Sequence, residues 1–231
     1  MARKGIVWLY VYLIAGIADL AFVANNESTY RFISKPLLLL SLYIYFITNT
    51  TLIKGSLLRK SMGAALLFSL AGDSLLLFPN LFLYGLGAFL MAHLCYIVAF
   101  KLTQHYQFSF YTVNFVKLFF YNLPIYIPGA IVYFLIQPNL NELKIPVVTY
   151  LIVILMMATL ARERFKRTNA SSFWQVFVGA ILFMVSDGIL ALNMFGYPMA
   201  DGDTLVMGTY ILAQLLIVMG IRSHIVSHPT E

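Results

Sequence analysis

Two aspartates lie in segments where a carboxyl group is costly. Asp73 stands in LFSLAGDSLLL (residues 67–77) and Asp187 in ILFMVSDGILALNMF (residues 181–195), each among leucine and phenylalanine. A carboxylate without partners is strongly unfavourable in hydrocarbon, so acids at such positions usually serve a function. Two carboxyl groups in one site can share a proton and thus supply one acid and one base. We therefore expect Asp73 and Asp187 to form an acid–base pair, and the alternative is a structural hydrogen bond between helices.

The composition is typical of a membrane protein. Of the 231 residues, 61% are hydrophobic and 10% are charged, and the mean hydropathy is +0.85. Soluble domains carry about 25% charged residues. The net charge of +6 does not indicate nucleic acid binding, because the charges lie in short loops between apolar segments. The single cysteine, Cys95, excludes an internal disulfide and a cysteine metal cluster.

Apolar windows predict an all-α, polytopic membrane bundle of about eight transmembrane helices in a single domain, residues 1–231. The predicted spans are 5–24, 35–53, 62–79, 82–101, 113–136, 143–161, 173–196 and 203–221. The first span follows Arg3 and Lys4, as a signal peptide would. Its full spanning length and Asp19 favour a retained helix.

The basic residues indicate how the bundle is oriented. If both termini are cytoplasmic, the inner loops and tails hold Arg3, Lys4, Lys54, Arg59, Lys60, Lys101, Arg162, Arg164, Lys166, Arg167 and Arg222. The outer connections then hold only Arg31, Lys35 and Lys144 and the acidic segment 201–203. The positive-inside rule therefore predicts cytoplasmic N- and C-termini, and we expect a multi-pass protein of a bacterial inner membrane.

Other polar residues of the spans are candidates for a site. His93 and Tyr96 are three residues apart on the fourth helix, and Tyr210 and Gln214 are four apart on the eighth, so each pair shares a helix face. A lone membrane histidine is more often a packing residue than a ligand, and zinc needs three or four converging ligands. The remaining histidines are expected in cytoplasmic loops or the tail: His105, His224 and His228. We therefore expect neither a metal nor another cofactor.

A lysine is predicted at the start of the second helix. Lys35 stands in SKPLLLL, where Pro36 suits an early helix position. The simplest interpretation is an interfacial anchor with a snorkelling stem, and the alternative is a clamp for a lipid phosphate. Asp19, near the same end of the first helix, is a candidate partner of Lys35 or a third acid. Asn193 lies six residues beyond Asp187, on a different face, and is kept as a candidate substrate-binding residue.

Together these motifs resemble the YhhN-like lysoplasmalogenase family of membrane proteins. The resemblance consists of KPLL (35–38), AGD (71–73), AHLCY (92–96), LFMVSDGILALNMF (182–195) and GTYILAQ (208–214), in order on the expected helices. It runs from about residue 33 to 221. One departure is TYIL where many members read TYY, which keeps Tyr210 but loses a second hydroxyl.

The resemblance implies a metal-independent ether hydrolase that cleaves the vinyl ether bond of lysoplasmalogens. The products would be a fatty aldehyde and glycerophosphoethanolamine or glycerophosphocholine. Protonation of the alkene carbon creates an oxocarbenium ion that water attacks, which requires an acid and a carboxylate. Asp73 and Asp187 would be this catalytic pair, and Lys35 would bind the phosphate. The other implied substrate-binding candidates are His93, Tyr96, Ser186, Tyr210, Gln214, Asp19 and Asn193. The implied partners are a lysophospholipid and membrane lipid, with a homodimer as a further candidate.

Three other classes of protein use similar residues. A proton-coupled transporter of small molecules or lipids is the main alternative, since membrane acids relay protons. Only the fifth predicted helix, however, carries the internal prolines expected of broken transport helices. An intramembrane aspartyl protease would need GxGD and YD, whereas this chain has SLAGD and Ser186 before Asp187. A nonenzymatic lipid-binding protein is the third. With Asp73→Asn an enzyme loses turnover but keeps lipid binding, and a transporter loses proton-linked flux.

Overall fold

The computed structural model describes residues 2–104 and 115–227, and within these ranges the chain is helical with no β-strand. The helices are α1 (Ala2–Ala24), α2 (Ser28–Asn49), α3 (Leu57–Leu75), α4 (Phe82–Leu102), α5 (Phe115–Ile136), α6 (Lys144–Glu163), α7 (Ala170–Met194) and α8 (Gly202–Ser227). The prediction of an all-α bundle with eight helices is confirmed. His105 and His228 lie outside the described residues.

Seven of these helices are long and apolar enough to cross a membrane, which makes the chain a multi-pass membrane protein. The exception among the described helices is α3. It carries Arg59 and Lys60 near its start and Asp73 near its end, so its charge exceeds what a simple apolar span contains. Which side of the membrane each terminus faces stays a prediction.

Two helices begin five or more residues before their apolar windows. The second begins at Ser28 rather than at residue 35, and α3 begins at Leu57 rather than at residue 62. The start of α3 is capped by Ser56, whose hydroxyl oxygen accepts the backbone N–H of Arg59 at 3.2 Å. Hydropathy windows miss such turns because helical hydrogen bonds continue through polar residues. Lys35 therefore lies within α2, and the prediction that it begins this helix is wrong.

Seven helices follow one another around the bundle, and α5 lies beside them. In space the order of packed neighbours is α1, α2, α3, α4, α6, α7 and α8, and α8 returns to pack against α1 and α2. The hydroxyl of Tyr12 on α1 donates to the carbonyl oxygen of Ile211 on α8 at 2.6 Å, which closes this circuit. Helix α5 packs against α6 and α7. Within this circuit α7 packs against α8, and the Tyr210 hydroxyl of α8 reaches Asp73 on α3.

A buried arginine joins the end of α4, the end of α6 and the start of α7. The Arg164 side chain, which follows α6, donates to the hydroxyl of Thr103 at 2.8 Å and to that of Ser172 at 2.6 Å. Burial lowers the pKa of Arg164 to about 9, so the guanidinium remains charged at neutral pH. It thereby ties the end of α4 to the start of α7 by charge-assisted hydrogen bonds.

Candidate active site

A cavity of about 400 Å³ lies near the connections α1–α2, α3–α4 and α7–α8. Its wall contains five of the residues predicted for the site: Lys35, Asp73, Ser186, Asp187 and Tyr210. Both aspartates therefore face one space. The volume falls within the range of small-molecule sites.

Asp73 is held by a cation and a hydroxyl. Its Oδ1 lies 3.3 Å from the Lys35 Nζ, and its Oδ2 accepts a hydrogen bond from the Tyr210 hydroxyl at 2.7 Å. The Asp73 side chain is only 3% exposed. A carboxylate buried in this way is stabilised by its ion pair and hydrogen bond together. Lys35 is thus a buried partner of Asp73, and the interpretation of Lys35 as an interfacial anchor is wrong.

Two further side chains orient the Tyr210 hydroxyl. The Gln214 Nε2 donates to the Tyr210 oxygen at 3.2 Å, and the Tyr96 hydroxyl donates to the Gln214 Oε1 at 2.5 Å. Because the Tyr210 oxygen receives a hydrogen from Gln214, its own hydrogen is free to point at Asp73. Tyr96 and Gln214 lie behind the described cavity wall. They position Tyr210, whereas the sequence interpretation placed them in the pocket lining.

Asp187 has a different set of neighbours. The Tyr150 hydroxyl donates to the Asp187 Oδ2 at 2.5 Å, and the His93 Nε2 lies 3.7 Å from the same oxygen. The His93 Nδ1 lies 2.5 Å from the Phe89 carbonyl oxygen, which can only accept, so Nδ1 carries a hydrogen. A neutral His93 therefore presents the lone pair of Nε2 to Asp187. The Asp187 side chain is 17% exposed, which leaves it open to the cavity.

One aromatic ring packs between the two aspartate groups. The Phe183 ring on α7 is fully buried and makes edge-on contacts with His93 at 4.7 Å and Tyr210 at 5.4 Å between ring centroids. Edge-to-face pairs of this kind restrain both rings. Phe183 therefore fixes a residue of the Asp187 group and a residue of the Asp73 group relative to each other.

Asp19 and Asn193 have their partners elsewhere. Asp19 accepts a hydrogen bond from the Ser34 hydroxyl at 2.6 Å and lies 3.5 Å from the Arg31 Nε. It is the partner of these residues and not of Lys35. The Asn193 Oδ1 accepts the backbone N–H of Met199 at 3.0 Å and so holds the α7–α8 connection. Neither Asp19 nor Asn193 belongs to the described wall of the cavity.

Ser186 has a structural contact as well as a place in the wall. Its hydroxyl donates to the carbonyl oxygen of Val206 at 2.9 Å and joins α7 to α8 directly beside Asp187.

The histidine predictions have a different outcome. His224, which the sequence suggested for a loop or the tail, lies buried within α8. Among the described residues, no three His, Cys, Asp or Glu side chains are grouped as a metal site would require.

Sequence reasoning missed Arg31 and Tyr150, which both line the cavity. Arg31 precedes Lys35 by four residues, so the two cations share a face of α2. This spacing could have revealed Arg31 had the helix start been placed correctly. Tyr150 stands in an apolar segment of α6 that resembles lipid-facing helix, and no local signal marks it.

The family model described as the YhhN family matches residues 30–221. Lysoplasmalogenase TMEM86B of Mus musculus is 28% identical over 200 residues, which cover 82% of this chain and 76% of that protein. The Homo sapiens protein of the same name is 32% identical over 155 residues, covering 67% and 60%. The uncharacterized membrane protein YhhN of Escherichia coli O6:H1 is 28% identical over 158 residues, covering 67% and 71%. No solved structure matches significantly. Since the family model spans most of the sequence, including both aspartates and Lys35, the chain belongs to the YhhN family.

Proposed function

We propose that this chain is a lysoplasmalogenase, which hydrolyses the vinyl ether bond of an alkenyl lysophospholipid. The observation that carries the proposal is the cavity in which Asp73 and Asp187 meet beside the cationic side chains of Arg31 and Lys35. It combines two acids with groups that suit a phosphate. The name lysoplasmalogenase, borne by relatives at 28–32% identity, supports the same activity.

The reaction consumes one water and leaves no group on the protein. A proton added to the alkene carbon remote from the ether oxygen turns the other alkene carbon into part of an oxocarbenium ion. Water attacks that carbon and loses a proton, which gives a hemiacetal. The hemiacetal hydroxyl then loses its proton, the glycerol oxygen gains one, and the bond between the hemiacetal carbon and that oxygen breaks to yield a fatty aldehyde and the glycerophospho-head group. The protein must supply one acid, one base and a negative charge near the cation.

We assign the proton donor to Asp187. No lysine or arginine among the described residues forms an ion pair with it, and the lone pair of a neutral His93 faces its Oδ2. Each acid accepts a hydrogen bond from one tyrosine, so the two differ in the Lys35 ammonium at Asp73 and the His93 lone pair at Asp187. A nearby lone pair repels a carboxylate but tolerates a protonated carboxyl group, so this difference favours Asp187 as the acid that holds its proton. The exposure of Asp187 to the cavity allows it to reach a bound substrate.

We assign the stabilising carboxylate to Asp73. The Lys35 ammonium and the Tyr210 hydroxyl both favour its charged form, and Tyr210 is itself held by Gln214. A fixed negative charge of this kind lowers the energy of an adjacent oxocarbenium ion, as in glycosidases. The Arg31 side chain is 20% exposed and that of Lys35 10%, so Arg31 is then the cavity cation that is more available to a substrate phosphate.

Aldehyde release from an alkenyl lysophospholipid by the purified protein in detergent tests this function. The matched substrate is the saturated alkyl ether lysophospholipid, which has no alkene carbon to protonate. We expect aldehyde from the vinyl ether alone, at a rate unchanged by a chelator, and loss of release in both Asp73→Asn and Asp187→Asn. Binding of the alkyl ether should persist in both variants.

Absence of aldehyde from a folded wild-type protein that binds the lipid would contradict the proposal. A proton-coupled transporter would then be the better account, because carboxyl groups within a membrane protein that face one cavity, as Asp73 and Asp187 do, can also relay protons. Proton-linked flux in liposomes, abolished by Asp73→Asn, would identify that class.

A further inference from the structure

A second cavity, of about 240 Å³, lies between α5, α6 and α7 on another side of Asp187. Among the described residues that line it, the polar side chains are the Asp187 carboxyl and the hydroxyls of Tyr133 and Tyr150. The rest of the wall is hydrocarbon, with glycine and proline. A space of this composition has no cationic side chain to bind a phosphate among its described lining residues, and it suits an apolar ligand.

The two cavities share a wall at the proposed proton donor. Val147, Tyr150, Asp187 and Ala191 line both of them. A lysoplasmalogen has a polar head group on one side of its vinyl ether bond and an unbranched hydrocarbon chain on the other. A substrate whose alkene carbon lies at Asp187 therefore has its head group beside Arg31 and Lys35 only if its chain leaves in another direction.

We propose that the second cavity, the chain site, binds the hydrocarbon chain of the substrate. This inference rests on the proposed function for the identity of the lipid. The chain site lies against α5, which packs beside the circuit of the other helices and exposes Ile127, Ile131 and Phe134. The chain therefore passes between α7 and a peripheral helix whose outer face suits the bilayer. The aldehyde product leaves along the same apolar route.

Gly188 and Val132 determine the width of the chain site. Gly188 on α7 and Val132 on α5 both line it, and a Cβ atom added at Gly188 would lie 3.6 Å from the Val132 Cγ2. That distance is an ordinary contact, so the first carbon of a new side chain fits without strain. A larger side chain at residue 188 would occupy the space of several methylene groups. Gly188 thus leaves room for a long chain, and a larger side chain at this position would shorten the chain that fits.

The first test compares kcat/KM for a hexadecenyl and an octenyl lysophospholipid in wild type and Gly188→Leu. We expect the ratio of long-chain to short-chain kcat/KM to fall by about tenfold, the effect of a few lost apolar contacts. Val132→Phe approaches the same space from α5 and should lower the ratio as well. Gly87→Leu is the matched control, because Gly87 is exposed on α4 with no atom within 4 Å of an added Cβ. It should leave the ratio unchanged.

A second measurement does not depend on turnover. A saturated alkyl ether lysophospholipid with a diazirine in its chain is bound to the wild-type protein, irradiated and mapped by mass spectrometry. We expect crosslinks to peptides of α5 and α7 that contain Val132 and Gly188, reduced in Gly188→Leu. Crosslinks to α2 and α8 alone, or an unchanged kcat/KM ratio in both cavity variants of an active protein, would overturn the chain site. Crosslinks at α5 and α7 without aldehyde release would keep the chain site and refute the proposed function.

Discussion

Asp73 and Asp187 follow similar apolar stretches and line one cavity, yet their surroundings differ. Asp73 lies among α2, α3 and α8, where an ammonium group contacts one carboxyl oxygen and a tyrosine hydroxyl the other. Asp187 lies among α4, α6 and α7, where a tyrosine hydroxyl and a histidine nitrogen face a single oxygen. The Asp73 side chain, which has an ion-pair partner, is 3% exposed, whereas the Asp187 side chain, which has none among the lysines and arginines described, is 17% exposed. The roles of two like residues are thus set by helices remote in sequence.

The largest expected effect concerns the proposed proton donor. Asp187→Asn keeps the shape of the side chain but cannot donate a carboxyl proton, so aldehyde release should fall by roughly 10²–10⁴-fold. The control is Asp203→Asn, since Asp203 lines the same cavity from the first turn of α8. Initial rates at saturating substrate are compared. An equal loss in Asp203→Asn would show that negative charge in the cavity, and not the Asp187 proton, limits the rate.

The Asp73 side should be sensitive to removal of its cation. Lys35→Met leaves the Asp73 carboxylate buried without its ion-pair partner, which should lower the free energy of unfolding by about 3–5 kcal/mol. The double variant Lys35→Met, Asp73→Asn removes both charges and should recover most of this loss while remaining inactive. Denaturant unfolding in detergent measures the free energy of unfolding of the single and the double variant. A double variant no more stable than Lys35→Met would mean that the 3.3 Å contact contributes little.

The two tyrosines that contact the aspartates should differ in their effect on stability. Tyr210→Phe deprives Asp73 of a donor and leaves the Gln214 Nε2 without its acceptor, so it should cost about 1–3 kcal/mol. Tyr150→Phe removes one hydrogen bond beside an open cavity, where water can replace it, and should cost about 1 kcal/mol or less. Denaturant unfolding under identical conditions compares the free energies of unfolding of the two variants with that of wild type. Equal losses would argue against the Tyr96–Gln214–Tyr210 network as a unit.

The smallest effect is expected away from both aspartates. Asn193→Ala removes the acceptor of the Met199 N–H, an exposed hydrogen bond worth about 1 kcal/mol or less. Because Asn193 holds the α7–α8 connection and does not line the cavity, kcat and KM should remain those of wild type. Steady-state kinetics check this. A raised KM would restore Asn193 to the substrate-binding residues that the sequence suggested.

Much of the fold could be predicted because apolar length is a local property. The eight helices and their order follow from windows of hydrophobic residues, whereas the starts of α2 and α3 lie in polar turns that such windows ignore. The displaced start of α2 had a consequence for the site. It turned Lys35 into an apparent interfacial residue and hid its relation to Arg31, one turn earlier on the same helix.

The sequence by itself determined that this chain spans a membrane and that Asp73 and Asp187 are its unusual residues, since the cost of a carboxyl group in hydrocarbon depends only on the apolar surroundings along the chain. Only the tertiary structure decided which groups meet each acid. Lys35 and Tyr210 reach Asp73 from α2 and α8, and Tyr150 and His93 reach Asp187 from α6 and α4. These contacts depend on how helices pack around the bundle, and the spacing of residues within one helix carries no information about them.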